Sequence, residues 1–190
     1  MTLFYQYLFP GLWLSWGIYW WALSRKVKPT TQIESIGSRL THLLPLALGI
    51  YLAWTPVTSI PFLTKRYLSD GVWTFWLGAS VLLFGLGITV WTRRELGRNW
   101  SGIVTLKQDH ELITGGPYAY VRHPIYTGLL LGFLGSAVAR AQWGGLLGVA
   151  LAAVSFWRKL TYEERFMRQQ FGTAYDDYSK RVAALLPFLF

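Results

Sequence analysis

The apolar residues of this chain fall into five segments separated by polar stretches. Segments 3–23, 40–63 and 72–92 are each about 20 residues long, which is enough for a helix to cross a bilayer. Segments 126–139 and 143–157 have only about 15 residues, so they must use flanking residues, tilt or insert as a shallow hairpin. This pattern predicts an all-α, polytopic integral membrane protein with about five transmembrane helices.

Sequence order and small residues suggest which of these helices pair. The second segment, interrupted by three prolines, is expected to form a hairpin with the third. The fourth and fifth segments each carry two glycines four residues apart, a spacing that allows two helix backbones to approach closely. These glycines are Gly128 and Gly132 on the fourth segment, and Gly144 and Gly148 on the fifth. We therefore expect the last two segments to pack on each other through them.

The composition agrees with a membrane protein. Hydrophobic residues make up 53% of the 190 residues, charged residues make up 14%, and the mean hydropathy is +0.30. Five spans of about 20 residues leave little for a separate soluble domain. We predict one membrane domain over residues 1–190, with three spans in 1–92 and a short helical hairpin followed by a C-terminal helix in 93–190. The sequence has no cysteine, which excludes disulfides, zinc–thiolate sites and thiol nucleophiles.

The basic residues predict the orientation of the spans. The net charge is +9, and 15 of the 18 Lys and Arg residues fall in the N-proximal loop, the 93–123 stretch and the C-terminal stretch. Positive residues accumulate on the cytoplasmic side, so the N-terminus is expected outside and the C-terminus in the cytoplasm. The first basic residue is Arg25, so the first segment lacks the basic start of a cleavable signal and should remain as an anchor. Topology thus accounts for the basic charge, and no nucleic-acid partner is predicted.

Two polar segments on the predicted cytoplasmic face, 93–123 and 158–190, carry the candidate chemistry. Arg122 and His123 directly precede Pro124, which can open the fourth helix, and a helix start favours a bound carboxylate or phosphate. The adjacent acids Glu163 and Glu164 lie just after the last apolar segment. An acid facing the Arg–His pair would bind the ammonium of a zwitterion while the pair binds its carboxylate. The alternative is a solvated helix face with ordinary ion pairs.

Several motifs, taken together and in order, resemble the isoprenylcysteine carboxyl methyltransferase family and its relatives among the phospholipid methyltransferases. The resemblance covers about residues 96–187. The motifs are His110-Glu-Leu-Ile, Gly116-Pro-Tyr118, Arg122-His-Pro-Ile-Tyr126-x-Gly128, Glu163-Glu164, Phe171-Gly-x-x-Tyr175-x-x-Tyr178 and a closing Arg181 with Pro187. Glu95-Leu-Gly-Arg-Asn-Trp-Ser101 also resembles the family's entry into the site.

The resemblance implies a membrane-embedded enzyme whose cofactor, S-adenosyl-L-methionine, binds in a cytoplasmic pocket of the C-terminal half. Glu163 would bind the ammonium of the cofactor, with Glu164 as the alternative one residue on. Arg122 would hold either the ligand or a lipid phosphate. The remaining residues divide between the adenosine side (His110, Leu112 and Ile113) and the methionine side (Tyr118, His123, Pro124, Ile125 and Tyr126).

One position departs from the family pattern. The family has an arginine four residues before the glutamate that matches Glu163, and this chain has Lys159 there. Lys159 is predicted to orient the substrate as a point charge, without the bidentate fork of arginine. Arg158 is adjacent, but a helical step of about 100° directs it elsewhere. If the acceptor needs a general base, Glu164 or His110 is the candidate.

The expected function is methyl transfer to a lipophilic, membrane-borne acceptor, with an isoprenylcysteine-like carboxylate as the first choice. The alternatives are a phospholipid or other lipid-amine N-methyltransferase, a membrane sterol-type reductase that would use NADPH, and a non-catalytic membrane interaction protein. The expected partners are a lipophilic small molecule or lipid substrate and the membrane lipids. Neither nucleic acid nor a metal is expected.

Overall fold

The fold is helical and is taken from a computed structural model that describes residues 2–24, 30–33, 35–55, 59–69, 71–97, 100, 105–107 and 112–187. The helices are α1 (Thr2–Ser24), α2 (Ile36–Trp54), α3 (Pro61–Thr64), α4 (Val72–Leu96), α5 (Pro124–Arg140), α6 (Trp143–Phe171) and α7 (Thr173–Arg181), and a short 3₁₀ helix spans Gly116–Ala119. By length and hydropathy, α2 and α4 can each cross a membrane.

The helix ends follow local signals in the sequence. Pro124 occupies the first turn of α5, as expected for a residue whose missing N–H costs nothing there. The second apolar segment divides into α2 and the short α3, since α2 ends at Trp54 and α3 starts at Pro61. Helix α6 continues without a break from the apolar segment into the polar stretch, so the glutamate pair lies on the same helix as the last apolar segment.

A small β-ribbon departs from the all-α prediction. Strand β1 (Thr30–Ile33) pairs antiparallel with β2 (Thr105–Lys107), with Ile33 opposite Thr105 and an irregularity near Thr30. The strands are three and four residues long and more than 70 residues apart in sequence, so neither has a hydrophobic period long enough to predict it. The ribbon joins the loop after α1 to the polar stretch that precedes the 3₁₀ helix.

Helix α2 packs against α6, and α4 packs against α5, so the predicted hairpin of the second and third segments is wrong. Glycines meet at both interfaces. A methyl group added at Gly49 would lie 2.7 Å from the carbonyl oxygen of Gly148, and one added at Gly78 would lie 2.5 Å from that of Gly135. Inside a membrane, where lipid is as apolar as a side chain, close van der Waals contact of this kind drives helix association.

The glycine pairs of α5 and α6 do serve packing, but with other partners than predicted. Gly128 faces Gly85 and Thr89 of α4, and Gly148 faces Gly49 of α2. Where α5 and α6 approach each other, a methyl group added at Gly145 would lie 3.1 Å from the Ala137 side chain. A four-residue spacing places small residues on one helix face, but it does not specify which helix meets that face.

Aromatic rings fill the space between α5 and α6. Tyr126, Phe133 and Phe156 are buried in one cluster with Ala152 and Leu160, and Trp13 and Leu46 pack on it from α1 and α2. The Tyr126 and Phe156 rings stack at 5.1 Å, and Phe133 stacks on Trp13 at 5.2 Å. These stacked rings extend to Tyr126 near the N-terminus of α5. The packed aromatic cluster therefore lies directly against the polar residues at this helix end.

Candidate active site

The candidate site forms where the start of α5 meets the polar half of α6. His123 is the N-cap residue of α5, but its side chain makes no capping hydrogen bond. Its imidazole stacks on the Tyr126 ring at 5.6 Å, and Tyr126 in turn stacks on Phe156. The side chain of His123 is therefore directed toward α6, which brings it to the glutamate pair 40 residues further along the chain.

Glu164 is buried and surrounded by cations, with 8% of its side chain exposed. Its Oε1 accepts hydrogen bonds from Arg122 Nε at 2.9 Å and His123 Nε2 at 3.2 Å, and Oε2 accepts one from Arg168 Nη2 at 3.2 Å. Burial by itself raises the pKa of this carboxyl, but the hydrogen bonds and charges of His123 and Arg122 lower it to about 2. Glu164 is therefore ionised and is a poor proton acceptor.

Glu163 points to a more open environment, with 25% of its side chain exposed. The Tyr126 hydroxyl donates a 2.5 Å hydrogen bond to its Oε1. Its Oε2 lies 3.7 Å from His123 Nδ1, beyond hydrogen-bond distance. The two adjacent glutamates thus have different environments. Both carboxylate oxygens of Glu164 accept hydrogen bonds from the protein, whereas Glu163 Oε2 lies beside His123 Nδ1 without a hydrogen bond to it.

Lys159 lies one helical turn before Glu163, with its Nζ 5.5 Å from the centre of the Tyr126 ring. Arg158 is directed away: its guanidinium lies 3.5 Å from the Ser38 hydroxyl on α2 and over the ring of Tyr162. The predicted difference in direction between these two cations is confirmed. Lys159, Tyr126 and Glu163 therefore lie side by side on one surface.

A C-terminal strap, residues 179–185, completes the site, and sequence reasoning missed it. Backbone N–H groups of Arg122 and His123 donate to the carbonyls of Ala183 and Ala184 at 2.8 and 3.0 Å. The Thr127 hydroxyl donates to Leu185 O at 2.7 Å. The short parallel bridge between the strap and residue 121 involves few residues, so the sequence contains no periodic signal for it.

Arg122 holds this strap, and its role toward the ligand or a lipid phosphate stays a prediction. Its Nη1 donates to the carbonyls of Ser179, at 2.9 Å, and Val182. Its Nε donates to Glu164 Oε1, and its Nη2 forms an ion pair with the same oxygen at 2.8 Å. The Arg122 side chain is 13% exposed, and its guanidinium contacts Glu164 on one edge and the strap carbonyls on the other.

The remaining predicted residues surround this centre. Tyr118 lies in the 3₁₀ helix, where its carbonyl accepts a hydrogen bond from the Tyr178 hydroxyl at 2.7 Å. Burial, reinforced by the charge of Glu163, raises the pKa of Tyr118. Pro124 is buried, and Ile125 packs on the aromatic cluster beside Tyr126. The structure gives Leu112 and Ile113 as half-buried, and His110 lies outside the described residues.

The turn before the 3₁₀ helix depends on one glycine. Gly116 has φ +58°, a backbone conformation that side chains disfavour. A methyl group added there would also lie 3.0 Å from the carboxyl carbon of Glu95, at the end of α4. Helix α4 thus brings the carboxyl group of Glu95 next to this turn. Glu95 starts the run 95–101, which resembles the family's entry into the site.

A family model described as phospholipid methyltransferase matches residues 73–174, more than half of the chain. The chain belongs to this family. The match contains α5, the whole of α6 and all but the first residue of α4, and hence every side chain of the His123–Glu163–Glu164 cluster. Family membership and the two apolar helices make the chain a membrane protein.

The chain's relatives include protein-S-isoprenylcysteine O-methyltransferases. The protein of this name from Dictyostelium discoideum is 30% identical, over 69% of this chain and 58% of the relative. A probable protein-S-isoprenylcysteine O-methyltransferase from Oryza sativa subsp. indica is 30% identical, over 67% of this chain and 70% of the relative. The chain therefore spans little more than half the length of the Dictyostelium protein.

One solved structure has a similar fold. It is the eukaryotic intramembrane Ras methyltransferase ICMT (isoprenylcysteine carboxyl methyltransferase), with a TM-score of 0.54 and 22% identity, covering 80% of this chain and 51% of that chain. At this identity the likeness concerns the fold alone.

Proposed function

We propose that this chain is an S-adenosylmethionine-dependent methyltransferase that acts on the carboxylate of a lipophilic, isoprenylcysteine-like acceptor. The observation that carries the proposal is the surface formed by Glu163, Tyr126 and Lys159: an acid and a cation on one side of α6, above an aromatic ring. The relatives named as isoprenylcysteine methyltransferases support the choice of acceptor.

The residues at the site fit the proposed cofactor. S-adenosylmethionine carries an ammonium group, and Glu163 directs one carboxylate oxygen into the site beside His123 Nδ1. The methionine part of the cofactor would be surrounded by Tyr118, Pro124, Ile125 and Tyr126. The adenosine part would lie against Leu112 and Ile113, together with His110, which the sequence also assigns to this side. When bound, the cofactor supplies an electrophilic methyl group on a sulfonium centre.

The chain's own residues would mainly bind and orient. A carboxylate acceptor is already a nucleophile, so it needs no general base. Lys159 would hold this carboxylate by charge near the site. Glu164, ionised among cations, does not suit the role of base; we assign it to the framework. The aromatic floor of Tyr126 and Phe156 excludes water from below.

A second candidate, transfer to a phospholipid or other lipid amine, is favoured by the description of the matching family. The lysine at position 159 separates the two functions, since it attracts a carboxylate and repels a protonated amine.

We further propose that the chain crosses the membrane five times, with the N-terminus outside and the C-terminus in the cytoplasm. Helices α1, α2 and α4 would form the N-terminal spans, and α5 with the apolar half of α6 the final hairpin. The site would then lie at the cytoplasmic surface, where Lys159 and Glu163 emerge from the bilayer. A lipophilic acceptor would reach it sideways from the membrane.

The test uses purified full-length protein in lipid nanodiscs with radiolabelled S-adenosylmethionine. We expect cofactor binding, and transfer of label to a prenylcysteine analogue in preference to the amine lipids of a membrane extract. Label that enters only the amine lipids would support the second candidate. Failure to bind the cofactor at all would overturn the proposed activity.

A further inference from the structure

His123 lies between two carboxylates that reach different nitrogens of its ring. Nε2 is 3.2 Å from Glu164 Oε1, and Nδ1 is 3.7 Å from Glu163 Oε2. The ring is 9% exposed and stacks on Tyr126, so its orientation is determined by packing. The two nitrogens therefore have fixed and separate partners.

The Glu164 contact decides which nitrogen carries a proton. Glu164 also forms ion pairs with Arg122 and Arg168. An ionised carboxylate has only acceptor atoms. A hydrogen bond to it from His123 requires the proton on Nε2. In the neutral imidazole Nδ1 then presents a lone pair, since one nitrogen of that form is a donor and the other an acceptor.

With a neutral His123, this arrangement would set two acceptors side by side in the site. The lone pair of Nδ1 and Glu163 Oε2 are 3.7 Å apart, and the other oxygen of Glu163 is held by the Tyr126 hydroxyl. Two acceptors this close favour a donor that reaches both of them from one side. A primary ammonium has three N–H groups and can donate to both.

We propose that Glu164 is a positioning residue: it holds His123 as the Nε2–H tautomer, so that Nδ1 and Glu163 together accept hydrogen bonds from the cofactor's ammonium. This inference rests on the proposed function. The charged groups around the imidazole are Glu163 and Glu164 themselves, Arg122 and Arg168 on Glu164, and Lys159 across the Tyr126 ring. The arrangement also explains why one glutamate of the adjacent pair is buried and the other is not.

The first test is spectroscopic and uses the unaltered full-length protein. The imidazole nitrogens are labelled with ¹⁵N, and the His123 signals are those lost in His123→Asn. With S-adenosylhomocysteine bound near pH 8, we expect a protonated Nε2 and an unprotonated Nδ1 whose resonance moves as it accepts a hydrogen bond. A neutral Nδ1–H tautomer, or an imidazolium that persists with the compound bound, would overturn the inference.

The second test separates positioning from general stability by comparing two ligands. The amide of Glu164→Gln can donate to Nε2, which favours the wrong tautomer, so we expect S-adenosylhomocysteine to bind about tenfold more weakly or worse. Binding of 5′-methylthioadenosine, which lacks the amino-acid part, should change less than about twofold because it makes no ammonium contact. Glu164→Asp keeps the acceptor and should restore part of the loss.

Asp177→Asn is the matched control, because it neutralises an exposed carboxylate that pairs with Lys180 and lies outside the His123–Glu163–Glu164 cluster, and it should leave both affinities nearly unchanged. Equal losses for the two ligands in Glu164→Gln, or no loss for either, would contradict the inference. If the unaltered protein binds neither compound, the proposed function itself fails and this inference with it. If Glu164→Gln does not fold, the His123 tautomer measured in the unaltered protein still tests the inference.

Discussion

At the scale of single residues, the adjacent glutamates of α6 have separate roles because a helix turns about 100° between them. Glu164 contacts Arg122, which holds the strap, and Arg168, whereas Glu163 contacts Tyr126 in the candidate site. Exposure therefore predicts that the two acids respond differently to substitution, although they look equivalent in the sequence.

Glu163→Gln is expected to weaken S-adenosylmethionine binding by about 1.5 to 3 kcal/mol, since a charge-assisted contact to the ammonium is lost. The fold should persist because this carboxylate is partly exposed and its Tyr126 hydrogen bond can be kept by the amide oxygen. Isothermal titration in detergent would measure the change. Asp177→Asn, which breaks an exposed pair with Lys180, is the control, and equal affinities in the two variants would contradict the assignment.

Lys159 gives opposite expectations for the two candidate acceptors. If it attracts a carboxylate, Lys159→Ala should raise KM for a prenylcysteine analogue while cofactor affinity stays within about twofold, and Lys159→Arg should retain activity. If the acceptor is an amine, the same alanine variant should be neutral or faster. Steady-state kinetics with both acceptors distinguishes them, and a carboxylate activity that survives Lys159→Ala unchanged would exclude its proposed role.

Glu164 predicts an acid-sensitive fold. Its pKa is lowered from 4.5 to about 2, so the stability it contributes is present above pH 4.5 and is lost as the pH falls through 2. Between these limits the unaltered protein should lose roughly 3 kcal/mol more than Glu164→Gln, whose side chain does not titrate. Unfolding in detergent at pH 5, 4, 3 and 2 provides the comparison. Parallel curves for the two proteins would show that the carboxyl is not perturbed.

At the scale of helices, close backbone contact explains the pairing of α4 with α5. Gly85 lies at this interface, where an added methyl group would be 2.8 Å from the Gly132 nitrogen and 2.9 Å from the Leu131 side chain. Gly87, two residues further along the same helix, has nothing within 4 Å. Alanine at Gly85 therefore changes both helix packing and helix propensity, whereas alanine at Gly87 changes helix propensity alone.

Gly85→Ala is expected to destabilise the protein by about 1 to 3 kcal/mol through overpacking. Gly87→Ala should be neutral or stabilising by up to about 1 kcal/mol, because alanine favours the helix. Thermal unfolding in one detergent compares the two variants directly. The same shift in both would mean that the helices do not meet where the structure places them.

At the scale of the whole molecule, the proposed orientation puts Lys180 in the cytoplasm and Lys65 outside. The native chain contains no cysteine, so one introduced thiol reports its own location. Both lysines are exposed, which makes them suitable positions. In intact cells an impermeant thiol reagent should label Lys65→Cys and should not label Lys180→Cys until the cells are opened. The reverse pattern would invert the proposed topology.

Much of the helical framework was predictable because its signals are local. Apolar segments of span length, a proline at the start of α5 and the absence of proline from α6 each act within a few turns of chain. The same local reading located the candidate residues, since His123 and Glu163 fall in the polar stretches that flank the last hairpin.

The partners of these elements were decided only by tertiary structure. Glycine spacing marked the packing faces of α5 and α6 but not that α4 and α2 would meet them, because complementary surfaces of distant segments determine the pairing. The strap and the β-ribbon join residues far apart in sequence through a few backbone hydrogen bonds, which leave no periodic pattern. The different environments of Glu163 and Glu164 have the same origin: adjacent positions on a helix face different neighbours once the chain has folded.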